Sequence, residues 1–314
     1  MPFPAVLSVP AASDEAPPAQ RPDRVSWALR AAVLCAVGLA LTWVVAELVP
    51  GARAHDAAAL LGFSDLWRPR IDTVANAVAR SVSARPYALL AIILLTVAIG
   101  RGRPRTALAV AVVLLGAGLS AEAMKPLLAH PHNYAGHKLV EAGSWPSGHS
   151  TAAMSLALCA VMVAPARMRV VVAVVGSLLA VAISFALLVL AWHLPSDVVG
   201  GYLLAGLWAS LAVAGLQSAQ ARWPSSARSS APPWSAPPLG RPTGSSLAAV
   251  LGREAVVPAA LLCAMAAVLA IAVVLRPEQV TTFAVAHRSL VAAAAVIVVL
   301  AGSLASGLTA VMRR

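Results

Sequence analysis

Hydrophobic positions fall into long unbroken runs rather than alternating or striped patterns. A bilayer's hydrocarbon core takes roughly 20 apolar residues in helical form. Runs of this kind occur at about 28–49, 86–100, 106–124, 151–164, 170–191, 198–216, 255–275 and 290–311. Those at 86–100 and 151–164 are short, so their ends must borrow from the flanks. The pattern predicts an all-α, polytopic transmembrane bundle of eight spans. Between the first two runs, Ile71, Val74, Val78 and Val82 recur at helical spacing, which predicts an amphipathic helix at the membrane surface. Residues 1–25, rich in Pro and Ala, read as a disordered tail and lack the features of a signal peptide. Residues 26–216 form the main helical unit, 217–247 a flexible Pro- and Ser-rich linker, and 248–314 a C-terminal helical hairpin to which packing or oligomerisation is assigned.

Composition agrees with the pattern. The chain of 314 residues is 60% hydrophobic and only 11% charged, against about 25% charged for a globular domain. The net charge of +11 does not indicate nucleic acid, because the basic residues are scattered through short loops between apolar runs. Cys35, Cys159 and Cys263 sit inside those runs without ligand or disulfide spacing. With eight spans, Arg101, Arg103, Arg105, Arg167, Arg169, Arg222, Arg228, Arg241 and both termini share one face, cytoplasmic by the positive-inside rule. The segment from Pro50 to Arg85 carries further arginines on the opposite face and is expected to be mobile.

Chemistry concentrates on that opposite, outer face. Five of the seven histidines, His130, His132, His137, His149 and His193, lie in two of its loops. Titratable groups gathered at helix ends on one side of a bundle are costly and point to function. Trp145-Pro146-Ser147-Gly148-His149-Ser150-Thr151 precedes a span. A helix start offers unpaired N–H groups and partial positive charge to an anion, and His149 is placed to protonate a leaving oxygen. His193 and Asp197 stand four apart at another helix start. The carboxylate can hold one ring nitrogen and leave the other as nucleophile. Lys125 and the amides near Ser147 and Gly148 would then bind phosphate oxygens. This is covalent phosphoryl transfer that calls for no cofactor and no metal. The rival is a metal site from His130, His132 and His137 with His149 or His193, weakened by having a lone nearby carboxylate.

Pro-Ser-Gly-His at a helix head, followed about forty residues later by His-x-x-x-Asp, resembles the type 2 phosphatidic acid phosphatase superfamily. The resemblance covers about residues 28 to 216. It implies a six-helix core in which His193 forms a phosphohistidine, Asp197 orients it and His149 is general acid, with Lys125, Ser147 and Gly148 binding phosphate. Two guanidiniums of the family pattern are replaced. Its first motif has His132 and Asn133 where Arg-Pro is usual, with His130 where a further arginine is common, and its third has Ala186 and Leu187 in place of Ser-Arg. Losing one preorganised donor typically costs about 100- to 1,000-fold in rate. Protonated His130 and His132 are the expected substitutes, so they join the phosphate-binding set.

The expected activity is that of a plasma-membrane lipid phosphatase, with both termini cytoplasmic and a membrane lipid as substrate, either a lipid phosphate or a polyprenyl pyrophosphate. The alternatives are a lipid phosphotransferase using the same set and a catalytically weakened lipid- or partner-binding protein. If His130 and His132 supply the missing charge, activity falls as pH rises through roughly 6 to 7. A detergent-solubilised assay that gives a flat rate across that window removes them from the site.

Overall fold

A computed structural model describes residues 24–129, 140, 143–222 and 277–313. Ten helices are present among the described residues and no strand. They are α1 (Arg24–Leu48), α2 (Pro50–Ser64), α3 (Pro69–Arg80), α4 (Ala84–Gly100), α5 (Pro104–Leu128), α6 (Gly148–Val163), α7 (Arg169–Val189), α8 (Pro195–Arg222), α9 (Pro277–Ala286) and α10 (Arg288–Arg313). Five of them, α1, α5, α7, α8 and α10, are long and apolar enough to cross a membrane, or six spans if the bent pair of α3 and α4 counts as one. The architecture is an all-α polytopic bundle. The tail before Arg24, the expected span at 255–275, and His130, His132, Asn133, His137 and Lys138 lie outside the described residues.

The core is centred on α6. At 16 residues, it is about 24 Å long and falls short of a ~30 Å hydrocarbon core. It is apolar around its whole circumference, which suits a helix enclosed on every side. Met154, Leu158, Cys159, Val161 and Met162 are all fully buried in contact with the surrounding helices. The outer helices instead carry rows of exposed large side chains, such as Leu108, Leu115 and Leu119 on α5 and Val33, Leu34, Val37 and Leu41 on α1. Apolar patches on this scale fit a surface facing lipid.

The helix ends sort into two faces. Arg103 donates to the carbonyl of Val163 at 3.2 Å, and Arg169 to that of Met312 at 2.7 Å. The starts of α5 and α7 therefore meet the ends of α6 and α10 at one face, together with Arg101 and Arg105. At the other face lie Lys125, Ser147, His193 and Asp197.

Three expectations change. The segment from Pro50 to Arg85 is not a mobile loop. Pro50 and Pro69 start two successive helices, as proline can where an N–H would be unpaired, and these pack on α1, α7 and α10. The amphipathic helix is there as α3, but its buried side is Ala75 and Ala79, with Val82 just beyond, whereas Ile71 and Val74 are exposed. Small residues let α3 lie close to α7. Finally, residues 217–222 of the expected linker are helical, because α8 continues to Arg222, and the rest of 217–247 lies outside the described residues. No breaker occurs before Pro224. The last helix, α10, contacts α2, α6, α7 and α8 and buries Ile297, Ala301 and Ala305, which makes it part of the main bundle.

Candidate active site

The His193 turn is built by how α7 ends. The N–H of Ala191 bonds to the carbonyl of Leu188 and that of Trp192 to Leu187, both at 3.0 Å. This is a Schellman arrangement, which needs a left-handed residue between the two bonds. Ala191 fills that place at φ 54°, where glycine is usual and alanine costs about 1 kcal/mol. The chain reverses there, and His193 follows. The next helix opens with Pro195. Asp197, in its first turn, folds its carboxylate back so that Oδ2 accepts the N–H of Leu194 at 3.0 Å, as the acidic member of a capping box does. The same oxygen lies 3.2 Å from Nδ1 of His193. Asp197 is completely buried and its Oδ1 has no hydrogen-bond partner. A buried carboxylate with spare acceptor capacity keeps Nδ1 protonated and leaves the lone pair on Nε2.

The second loop is bonded to the first. The N–H of Ser147 donates to the carbonyl of Asp197 at 3.0 Å. Its Oγ accepts from the N–H of Ser150, and its carbonyl accepts from both N–H and Oγ1 of Thr151. Ser147, fully buried, thus holds the two helix heads together through its N–H and caps α6 through its Oγ and carbonyl as acceptors, none of which uses its O–H donor. The amides left for an anion at this helix start are those of Gly148 and His149. His149 packs its ring 5.9 Å from that of Trp192. Burial first, then His193 and Lys125 nearby, hold its imidazole below the ordinary histidine value, and Glu122 opposes them. An arriving phosphate carries the negative charge that reverses this shift.

Lys125 is close by. A Cβ on Gly148 would stand 3.5 Å from its Nζ and 3.3 Å from Oε1 of Glu122. Glu122 pairs with Lys125 at 2.6 Å. Sequence reasoning passed over Glu122, although its spacing of three from Lys125 on one helix is the signal for such a pair. It also passed over Gly200 and Gly201. A Cβ on Gly200 would come within 2.7 Å of the Trp145 indole nitrogen, and one on Gly201 within 2.8 Å of the Ser147 carbonyl and 3.0 Å of the Thr151 nitrogen. Asp56 of α2 was missed as well. Its carboxylate accepts from the N–H of Ser196 at 3.1 Å and from its Oγ at 2.5 Å. Asp56 and Ser196 line a cleft of about 750 Å³ between α1, α2 and α10, with Leu41, Val45, His55 and Arg288.

Lys125, Ser147, Gly148, His149, His193 and Asp197 are therefore at one end of the bundle, while His130 and His132 lie outside the described residues. Ala186 and Leu187, which replace Ser-Arg, are buried in the α7 packing and bring no charge. Among the described residues no three His, Cys, Asp or Glu side chains come together as a metal site. Residues 87–220 match the family model of the PAP2 superfamily. No curated protein and no solved structure matches the chain. The PAP2 match begins at Tyr87 in α4, ends in α8, and takes in both loops. It suggests phosphatase-type activity on lipid phosphates. It leaves α1, α2, α3 and α10 outside, although all four pack on the matched helices.

Two glycine variants separate packing from binding. In Gly201→Ala the new methyl meets backbone, which cannot swing aside, so it should destabilise the protein by about 1–3 kcal/mol. Thermal unfolding in detergent reads the loss, and the rate should fall with it. In Gly148→Ala the methyl meets only the mobile ends of Glu122 and Lys125. Unfolding should hardly change, while activity drops nearly as far as in His149→Ala because the anion approach is crowded. A Gly148→Ala rate close to wild type would mean that phosphate is held elsewhere.

Proposed function

We propose that the protein is a membrane lipid phosphatase that hydrolyses a lipid phosphate or polyprenyl pyrophosphate through a phosphohistidine at the outer membrane face. The observation that carries this reading is the His193–Asp197 pair, tied through the Asp197 carbonyl to the loop that bears His149. In the first step Nε2 of His193 attacks phosphorus and the bond to the lipid oxygen breaks. His149, protonated once the phosphate is bound, gives its proton to that oxygen, and the alcohol departs from a lipid phosphate, or the lipid monophosphate from a pyrophosphate. The proton on Nδ1 remains hydrogen-bonded to Asp197, which stabilises the positive ring. In the second step water attacks phosphorus, His149 takes its proton, and the P–N bond breaks to return neutral His193 and inorganic phosphate.

Charge on the phosphoryl oxygens falls to Lys125, to the Gly148 and His149 amides, and to the α6 dipole. Lys125 must leave Glu122 to reach a ligand, at small cost, since Glu122 is largely exposed and such pairs are worth about 0–1 kcal/mol. The outer location is supported by Arg101, Arg103, Arg105, Arg167, Arg169 and Arg222, which flank the spans at the face away from the site. A lipid substrate is supported by the apolar helices that surround the site.

Incubation of purified protein with a lipid phosphate labelled on phosphorus tests the reading. Label should appear as free phosphate, and a quenched reaction should hold an acid-labile, base-stable phosphoprotein. Both should vanish in His193→Ala. Label passed to an added alcohol would favour a phosphotransferase, and no turnover with intact lipid binding would favour a weakened member.

A further inference from the structure

Asp56 belongs to no part of the mechanism above, yet it touches the turn that carries Asp197. Leu194, which precedes α8, has no side-chain oxygen to accept the free N–H groups of the first helical turn, a role normally filled by Ser, Thr, Asp or Asn. Asp197 returns to the Leu194 N–H, but the Ser196 N–H still needs an acceptor. Asp56 supplies it from a different helix, and takes the Ser196 Oγ with its other oxygen. The clamped residue, Ser196, is the immediate chain neighbour of Asp197, whose carboxylate orients His193.

We propose that Asp56 is a positioning residue: it caps α8 across the helix interface and thereby holds Asp197 at hydrogen-bond distance from Nδ1 of His193. The inference rests on the reading of His193 and Asp197 as nucleophile and partner. Its neighbours fix the form in which it works. Asp197 on α8 and Glu47 on α1 are acidic, and Arg53 and His55 lie on α2 itself. Arg288 of α10 lines the same cleft, and α7, the remaining neighbour, has Arg169 at its far end as its one ionisable residue. Burial, reinforced by Asp197 and Glu47 and opposed by the bonds to Ser196, pushes Asp56 up to about 7. Below that pH the neutral acid accepts the Ser196 N–H at Oδ1 and donates from Oδ2 to Oγ, a pairing that asparagine copies atom for atom. Above it, a second negative charge stands beside Asp197 and strains the turn.

The proton on Nδ1 of His193 reports the geometry directly. In full-length protein in detergent micelles, labelled with ¹⁵N-histidine, its downfield resonance is identified by loss in His193→Gln. Asp56→Ala should lose or move that resonance, with kcat lowered at least about tenfold, as small misplacements of reacting groups do, and KM little changed. Asp56→Asn should keep both. The wild-type resonance should also shift as pH passes through about 7, and the Asn variant should not show that step. An unchanged resonance in Asp56→Ala, or a pH response in Asp56→Asn identical to wild type, overturns the proposal. If the alanine variant does not fold, the comparison of Asn with wild type decides alone. Because the resonance needs no turnover, a response without phosphate release would sink the phosphatase reading and leave the positioning role standing.

Discussion

The geometry of the site depends on how closely the start of α8 can lie against the start of α6. Gly200 and Gly201 bring no side chain to that contact, so the Trp145 indole and the backbone of Ser147 and Thr151 occupy the space instead. At this separation the Ser147 N–H reaches the Asp197 carbonyl at 3.0 Å. Two loops nearly fifty residues apart in sequence then behave as one body. A chain of buried hydroxyls runs beneath them, from Ser150 on α6 to Ser184 on α7 to Tyr202 on α8. Each of these polar groups costs free energy in an apolar core unless it is bonded, so the chain also penalises slippage among the three helices.

Most of the architecture was legible because a membrane span announces itself by length and composition alone. The runs at 28–49, 106–124, 170–191, 198–216 and 290–311 all reappear as helices within a few residues. What sequence could not supply was the arrangement between spans. The 50–85 segment showed one surface helix in an otherwise mobile stretch because its helices are short and α3 buries alanines, which carry little hydrophobic signal, while α2 buries Leu60 and Phe63 against the bundle. Packing or oligomerisation is the expectation for α10, but its partners were not legible, for a related reason. An apolar face toward lipid and one toward protein have the same composition, so only packing against α2, α6, α7 and α8 distinguishes them.

The candidate site divides in the same way. His149, His193, Asp197 and Lys125 were readable from residue type and spacing, because titratable groups are rare in such a chain. Gly200, Gly201 and Asp56 were not. The glycines matter for what they omit, and Asp56 acts across an interface between segments 140 residues apart. Ser147 was legible as a residue of interest, but not its structural part, in which the N–H bonds to Asp197 and the Oγ accepts from Ser150.

The pairing of Glu122 with Lys125 bears on which lipids the site would accept. A carboxylate already occupies the cation that a phosphoryl oxygen would need, so any ligand must first displace an internal competitor of charge minus one. A phosphodiester headgroup carries no more charge than that competitor and gains little from the exchange. A terminal phosphate, near minus two at neutral pH, gains more. The displacement cost of about 0–1 kcal/mol is common to every ligand, so under the proposed reading it weakens all of them alike, by less than about tenfold, and leaves discrimination to the charge that each headgroup brings.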